Sequence, residues 1–458
     1  MNPKKLDFNP HYFYYGTLHF WFLGFFYLLA YLVGYLKLIP DLTFFYFRPE
    51  EMAKFYITGR MVSVIFGVLS VLMVFLLARR IYGRNRALVS ALLLAITPLF
   101  VIYTHTISTD IAMVFFVLLT FFVSIRLLET GKTKYYILGG ICVGLAANSK
   151  YPAVLTILLL PTACFLRGKF NWRNLLGSFC GKKSLLAYLF AAGTFILTFP
   201  YIITSFSEVH GFIKGVQGWG NIFSGVLYYS KSLYTGLGLP LLLLSLLGIG
   251  YTLYKKDRAD LLVIFWIIIS FLFLAAIQIR FDRYILIVVP FLVILSGRGW
   301  EVIKNRYARG VILLVVIIFT FLLTLGYELV FIQENTRTTT GKWIAQNIPR
   351  GEKIGLARDC YQFETPPLNY FKYKICVTGW DIGLLEKEKP AYFILSEAER
   401  LLFKPPQGWK RWMEEGGYKL VKTISNPPKV IGIPFNHKKT RDEYLYFYPQ
   451  YYIYQPKE

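Results

Sequence analysis

Asp110 closes the segment Tyr103-Thr-His-Thr-Ile-Ser-Thr-Asp110, directly before a long apolar run. A carboxylate at that position is favourable against a helix dipole, so a capping or first-turn role is one reading. The other makes Asp110 a base or a ligand at the mouth of a helix bundle, with His105 close by. Lys150 is a lone cation between two short apolar segments. Its long side chain could merely snorkel to the membrane edge, or it could hold a phosphate at headgroup level. Arg280 and Arg283 sit in the tight Gln278-Ile-Arg-Phe-Asp-Arg-Tyr284 turn. Guanidinium groups suit a phosphate partner, and pairing with Asp282 is the alternative. Asn9-Pro-His11-Tyr12-Phe13-Tyr14-Tyr15-Gly16 concentrates tyrosines that could also be simple interface anchors. The five histidines show no metal-ligand spacing, and there is no Asp-x-Asp or glycine-rich phosphate loop.

The elements that position these residues are membrane helices. Of 458 residues, 55% are hydrophobic and only 17% are charged, and the mean hydropathy is +0.48. A soluble chain carries about 25% charged residues, and a disordered one far less apolar surface. Apolar runs recur at 17–39, 61–78, 87–103, 110–128, 135–149, 151–166, 184–200, 233–253, 260–279, 283–297 and 310–332. The net charge of +24 is placed by the loops between them. Five loops, around 79–86, 129–134, 167–183, 255–260 and 298–309, hold 18 basic and 4 acidic residues. The positive-inside rule puts them in the cytoplasm, so the excess marks orientation and nucleic acid is not a partner. Asp110, Lys150, Arg280 and Arg283 then face the other side.

Residues 333–458 contain no run long enough to span. Strand-like stretches at Lys353–Ala357, Tyr373–Val377, Ala391–Leu395 and Tyr451–Tyr454, with a helical pattern at Thr339–Asn347, predict a small α/β domain outside the cytoplasm. Cys360 and Cys376 could pair there. The division expected is a membrane domain at 1–332, in which 17–39 could lie along the surface, and an extracytoplasmic domain at 333–458.

Together these segments resemble the polytopic GT-C glycosyltransferases, the family of dolichyl-phosphate-mannose protein mannosyltransferases and the lipid A aminoarabinose transferase. The likeness spans roughly 8–332. It rests on Asn9-Pro-His-Tyr-Phe-Tyr-Tyr-Gly-Thr-Leu18, on Gly59-Arg-Met-Val-Ser-Val-Ile-Phe-Gly with Ala78-Arg-Arg-Ile-Tyr-Gly83, and on Thr109-Asp110. Gly139-Gly-Ile-Cys-Val-Gly-Leu-Ala-Ala-Asn-Ser-Lys150-Tyr-Pro and the stretch from Arg283-Tyr284 to Pro290 complete it. The order and spacing of these motifs carry the resemblance.

The resemblance implies a polytopic helical fold of about 10–11 apolar helices. It also implies an inverting transferase that takes a sugar from a polyprenyl-phosphate donor at the outer face of the bilayer. The acceptor would be a lipid, glycan or protein. Lys150 and Arg280 or Arg283 would hold donor phosphate, and Asp110 would be the second acidic residue of the site. His11, Tyr15, His105, Tyr151 and Tyr284, in the same segments, are the further substrate-binding candidates. No cofactor is evident, and a divalent cation is left open. The family also has a first span and an acidic pair upstream of the Asn9-Pro-His segment. Here Asp7 is the nearest acid before it, while Glu50-Glu51 follows later, so the chain is expected to lack that catalytic acidic residue, with Met1 an internal start or the sequence a fragment. Two rival readings stand beside the transferase: a lipid-linked sugar transporter or flippase, and a non-catalytic scaffold of the same fold.

Overall fold

The computed structural model describes residues 8–216, 218–359, 364–403, 405–430, 432–434 and 448–457. Asp7 and Cys360 lie outside them, so the expected Cys360–Cys376 pairing does too. The chain divides into two compact units, Met1–Thr324 and Leu325–Glu458.

The first unit is helical. It opens with α1 (Leu18–Leu32), α2 (Leu42–Tyr46), α3 (Pro49–Tyr82), α4 (Arg84–Ala95) and α5 (Pro98–Thr104). Then come α6 (Thr109–Thr130), α7 (Thr133–Ser149), a 3-10 turn at Tyr151–Leu158, α8 (Leu159–Arg167), α9 (Trp172–Cys180) and α10 (Lys182–Thr198). Two short helices, α11 (Tyr201–Thr204) and α12 (Phe206–Val216), precede α13 (Ile222–Leu237), α14 (Leu239–Lys255) and α15 (Arg258–Ala276). A second 3-10 turn at Asp282–Ile287 leads into α16 (Val289–Val302) and α17 (Arg306–Ile332), whose residues from Leu325 onward belong to the second unit. Prolines in the first turn of α3, α5, α14 and α16 preset the backbone where their missing N–H costs no bond.

Among the described residues, five helical stretches are long and apolar enough to cross a membrane, including α3, α6 and α15. The number rises to seven when each bent pair counts as one span. The bends fall at Thr97-Pro98, where α4 and α5 meet at 60°, and at Gly238, where α13 and α14 meet at 116°. The apolar run at 233–253 therefore does not form one straight helix. Gly238 adopts φ +79°, a left-handed conformation open to glycine, and reverses the chain inside the run. α1, at 15 residues, is too short to cross about 30 Å of hydrocarbon by itself.

Small residues let neighbouring helices touch backbone to backbone, the usual solution where lipid gives no hydrophobic driving force between helices. A Cβ on Gly140 or Gly144 would lie 2.3 or 2.7 Å from the Ala187 or Ala191 carbonyl oxygen of α10. Gly248 and Gly299 knit α14 to α16 in the same manner.

All five basic loops meet at one end of this bundle. Arg80 binds Glu129 through two hydrogen bonds of 2.7 and 2.8 Å, and Arg258 donates to the Arg167 carbonyl at 2.9 Å. Arg86 pairs with Glu301. Arg298 reaches Asp260 at 2.8 Å and also pairs with Asp257. Asp260 is fully buried there and accepts from Tyr82 at 2.5 Å.

The second unit is a twisted five-stranded sheet between helices. Its strands are β1 (Lys353–Leu356), β2 (Lys374–Val377), β3 (Tyr392–Ser396), β4 (Tyr418–Ile424) and β7 (Tyr451–Pro456), in the order β2-β1-β3-β7-β4; β5 (Lys429–Val430) and β6 (Ile433–Pro434) form a separate hairpin. β2, β1 and β3 are parallel, and β7 pairs antiparallel with β3 and β4. The helices are α18 (Thr336–Asn347), α19 (Ile382–Glu388), α20 (Glu397–Leu402) and α21 (Gln407–Trp412). Alternation along β3 divides the core: Ile394 packs with Ile344 of α18, while Phe393 and Leu395 pack with Leu385 of α19 and Trp409 of α21. Each expected strand is present within a residue or two of its predicted ends. β4, which is largely exposed, and the short β5–β6 hairpin are the additions.

Candidate functional site

Opposite the basic end, four separate stretches of chain meet around Asp110. Ser108 caps α6: its hydroxyl accepts the Asp110 N–H at 3.1 Å and donates to Asp110 Oδ2 at 2.9 Å. The capping geometry weighed for Asp110 is thus supplied by Ser108, which leaves the carboxylate of Asp110, 2% exposed, to other partners.

The chief partner is Lys150. Pro152 has no N–H to offer the Asn148 carbonyl, so α7 ends at Ser149 and Lys150 takes an extended conformation. Its ammonium, 3% exposed, pairs with Asp110 Oδ1. A snorkelling lysine would put its charge in water; this one is turned inward. Nζ also lies 4.3 Å from the Tyr284 ring centroid and 5.7 Å from that of Tyr15. Aromatic faces stabilise a desolvated cation without neutralising it.

Arg283 completes the group. Its Nε lies 3.7 Å from Asp110 Oδ2, and its guanidinium covers the Phe281 ring at 4.4 Å. Half of the turn that carries it is structural. Asp282 is buried beside the Ser232 hydroxyl. Arg280 donates to the carbonyls of Ile277, Asn221 and Ala275 and to the Ser224 hydroxyl, at 2.8–3.3 Å. Arg280 therefore staples the loop before α13 to the end of α15, and Arg283 is the arginine directed at Asp110.

The N-terminal segment forms the remaining wall. Tyr151 donates to the Phe13 carbonyl at 3.0 Å, and Asn9 to the Ser205 hydroxyl at 3.1 Å. His11 lies 3.2 Å from Glu208 of α12. Gly16 crosses the end of α7 so closely that a Cβ there would sit 2.1 Å from the Asn148 carbonyl oxygen. Thr17 donates to the Thr198 carbonyl at 2.9 Å, and Asn148 to the Thr198 hydroxyl at 2.8 Å. Tyr15 thereby reaches Lys150, while His11 and Tyr151 anchor the segment that carries it. His105 is turned to its own helix, with Nδ1 2.9 Å from the Val101 carbonyl. Glu51, of the Glu50-Glu51 pair, is held by Lys54 and Lys37 at 3.1 and 3.4 Å.

Sequence reasoning passed over His19. It is 4% exposed on α1, feels the charge of Asp110, and has no hydrogen-bond partner on either ring nitrogen. The available signal was a histidine inside the apolar Leu18-His19-Phe20-Trp21 stretch, where a buried polar group incurs a desolvation cost unless something engages it. Asn148 Oδ1 is likewise buried without a partner. Among the described residues, no three His, Cys, Asp or Glu side chains gather in a metal-holding group. The cluster holds two cations against one buried carboxylate and lines them with aromatic rings.

Comparison with known proteins agrees with this architecture. Residues 56–203, roughly a third of the chain, match the model of the dolichyl-phosphate-mannose-protein mannosyltransferase family. That stretch contains Asp110 and Lys150. Among curated proteins, none matches the chain in sequence. Among solved structures, the chain is similar to ArnT from Cupriavidus metallidurans in the apo state, with a TM-score of 0.50 at 13% identity, covering 96% of this chain and 88% of that one. ArnT bound to undecaprenyl phosphate gives 0.47 at 14% identity over the same shares. The Archaeoglobus fulgidus oligosaccharyltransferase gives 0.46 at 12% identity, covering 93% of this chain and 67% of that one. The fold is the GT-C fold anticipated from the order of the motifs: a polytopic membrane protein with a small C-terminal sheet domain.

Proposed function

We propose that this chain is a membrane glycosyltransferase that moves a sugar from a polyprenyl-phosphate donor to a lipid, glycan or protein acceptor, with inversion at the anomeric carbon. The observation that carries this reading is the convergence of Lys150 and Arg283 on buried Asp110, at the end of the bundle opposite the basic loops. In the reaction, the bond between the anomeric carbon and the phosphate oxygen breaks as the acceptor heteroatom attacks from the opposite face. Negative charge collects on the departing polyprenyl phosphate. Lys150 and Arg283 meet that charge in a water-poor site, where preorganised cations act without reorganising solvent. The Tyr15 and Tyr284 rings face the Lys150 ammonium and fix its position. As the phosphate draws the two cations, Asp110 is released to accept the hydrogen bond of the acceptor, orient it and take the proton its heteroatom gives up on attack.

Transfer of radiolabelled sugar from a polyprenyl-phosphate donor by the purified chain tests the reading. Lys150→Ala is expected to lower the turnover about 100-fold or more, the usual cost of one charge-stabilising donor, and Lys150→Arg to restore part of it. Undiminished transfer in Lys150→Ala and Asp110→Asn would remove the site from the reaction. Movement of the lipid-linked sugar across vesicles without any transfer product would replace the reaction with transport.

A further inference from the structure

At the opposite end of the bundle, the ends of α6, α8, α10 and α15 enclose a cavity of about 770 Å³. Arg167, Lys182, Lys183 and Arg258 line it, against one acid, Glu129. That acid is already committed, bound by Arg80 and by Arg126 at 3.1 Å. Among the described residues, no carboxylate lies within ion-pairing distance of the four lining cations; Arg258 spends one N–H on the Arg167 carbonyl. Four cations around one concavity repel one another, and an arrangement of this kind persists most easily when an anion occupies it.

α9 indicates where that anion comes from. Its exposed face carries Trp172 and Leu176, with Phe170 just before it; Phe170 and Trp172 are 63% and 69% exposed. Lys169 and Arg173 lie beside them. α9 runs on into α10 as one helical stretch, Trp172–Thr198, and aromatic rings flanked by basic residues at the end of a span mark the headgroup boundary of a bilayer. The next residues of the chain, Gly181 to Ser184, form the wall of the cavity and the first turn of α10, so the cavity opens at headgroup depth. A soluble anion would require the cations but not this apolar ledge.

We infer that this cavity is a binding site for the phosphate headgroup of an anionic phospholipid in the leaflet bordering the basic loops. It lies at the far end of the bundle from the Asp110 cluster and does not depend on the transferase reading. Lys182, Lys183, Arg167 and Arg258 surround the phosphodiester, and Trp172 and Phe170 lie among the acyl chains.

Native mass spectrometry of the delipidated full-length chain, titrated separately with phosphatidylglycerol, phosphatidylcholine and inorganic phosphate, decides the matter. Phosphatidylglycerol is expected to bind at least about tenfold more tightly than phosphatidylcholine, and Lys182→Gln/Lys183→Gln to abolish that preference. Lys255→Gln/Lys256→Gln removes the same charge from another basic loop and should leave the preference within about twofold of the parent. All four lysines are exposed, and an unchanged unfolding midpoint confirms that each variant is folded. Equal binding of the two lipids, or equal losses in the two double variants, would overturn the site in favour of diffuse surface charge. Displacement of the bound lipid by about 10 mM inorganic phosphate would overturn the lipid assignment.

Discussion

Asp110 and Lys150 are separated by 40 residues in sequence and meet as a buried pair. Each is noticeable by itself, because an ionisable group beside an apolar run needs compensation. Their partnership is not legible, since it depends on the break after α7 turning Lys150 toward the head of α6. The same applies to the arginines. Both occupy one turn and look equivalent in the sequence, yet Arg280 binds carbonyls while Arg283 faces Asp110. A buried pair of this kind has a characteristic thermodynamic signature. Removing one partner leaves an uncompensated charge and costs about 3–5 kcal/mol, whereas removing both costs far less. Lys150→Met and Asp110→Asn are each expected to lower the thermal unfolding midpoint of the detergent-solubilised chain markedly, and the double variant to recover most of the loss. Additive losses in the double variant would show that the two charges do not depend on each other.

At the scale of elements, hydropathy located the apolar segments but not their bends. Nothing in the composition of 233–253 distinguishes a straight helix from one reversed at Gly238, because the decisive quantity is a single backbone angle. α9 was hidden for another reason: nine residues of mixed polarity inside a basic stretch read as loop. The strands of the second unit were easier, being short and rich in β-branched and aromatic residues. One of its helices carries a pH dependence. Ser396 and Glu399 form a reciprocal capping box at the start of α20, and burial raises the Glu399 carboxyl to about 7, against the lowering effect of its hydrogen bonds to Ser396. The folded chain then retains a proton that the unfolded chain gives up near 4.5. The contribution of Glu399 to stability is complete below that value and is lost as the pH rises through about 7, a change on the order of 3 kcal/mol. Tryptophan-monitored unfolding between about pH 5 and pH 8 should show this decline, and Glu399→Gln should flatten it. A decline of the same size in Glu399→Gln would place its origin elsewhere.

For the whole molecule, charge asymmetry was the most informative property of the sequence. The excess of basic residues in alternate loops predicted that those loops share one face, and ion pairs and hydrogen bonds join them there. By the positive-inside rule that face is expected to lie in the cytoplasm. Cys180, exposed at the end of α9, provides a native reporter of it. With the other cysteines replaced by serine, a membrane-impermeant maleimide is expected to leave Cys180 unlabelled in sealed right-side-out vesicles and to label it after permeabilisation. Labelling of intact vesicles would invert the topology, and with it the side proposed for the reaction at Asp110.

The internal pairing of Lys150 with Asp110 also bears on selectivity. Chloride or free phosphate drifting past meets no bare cation, only one whose counter-charge is built in and covalently tethered. A tethered counter-charge competes at a high effective concentration, on the order of millimolar or above, so a dilute mobile ion loses the exchange. A ligand prevails when it too is held in place, as a phosphate is when its polyprenyl chain is dissolved in the adjoining bilayer. In the proposed reaction the carboxylate would act as a threshold, admitting anions that arrive anchored and turning away those that arrive free.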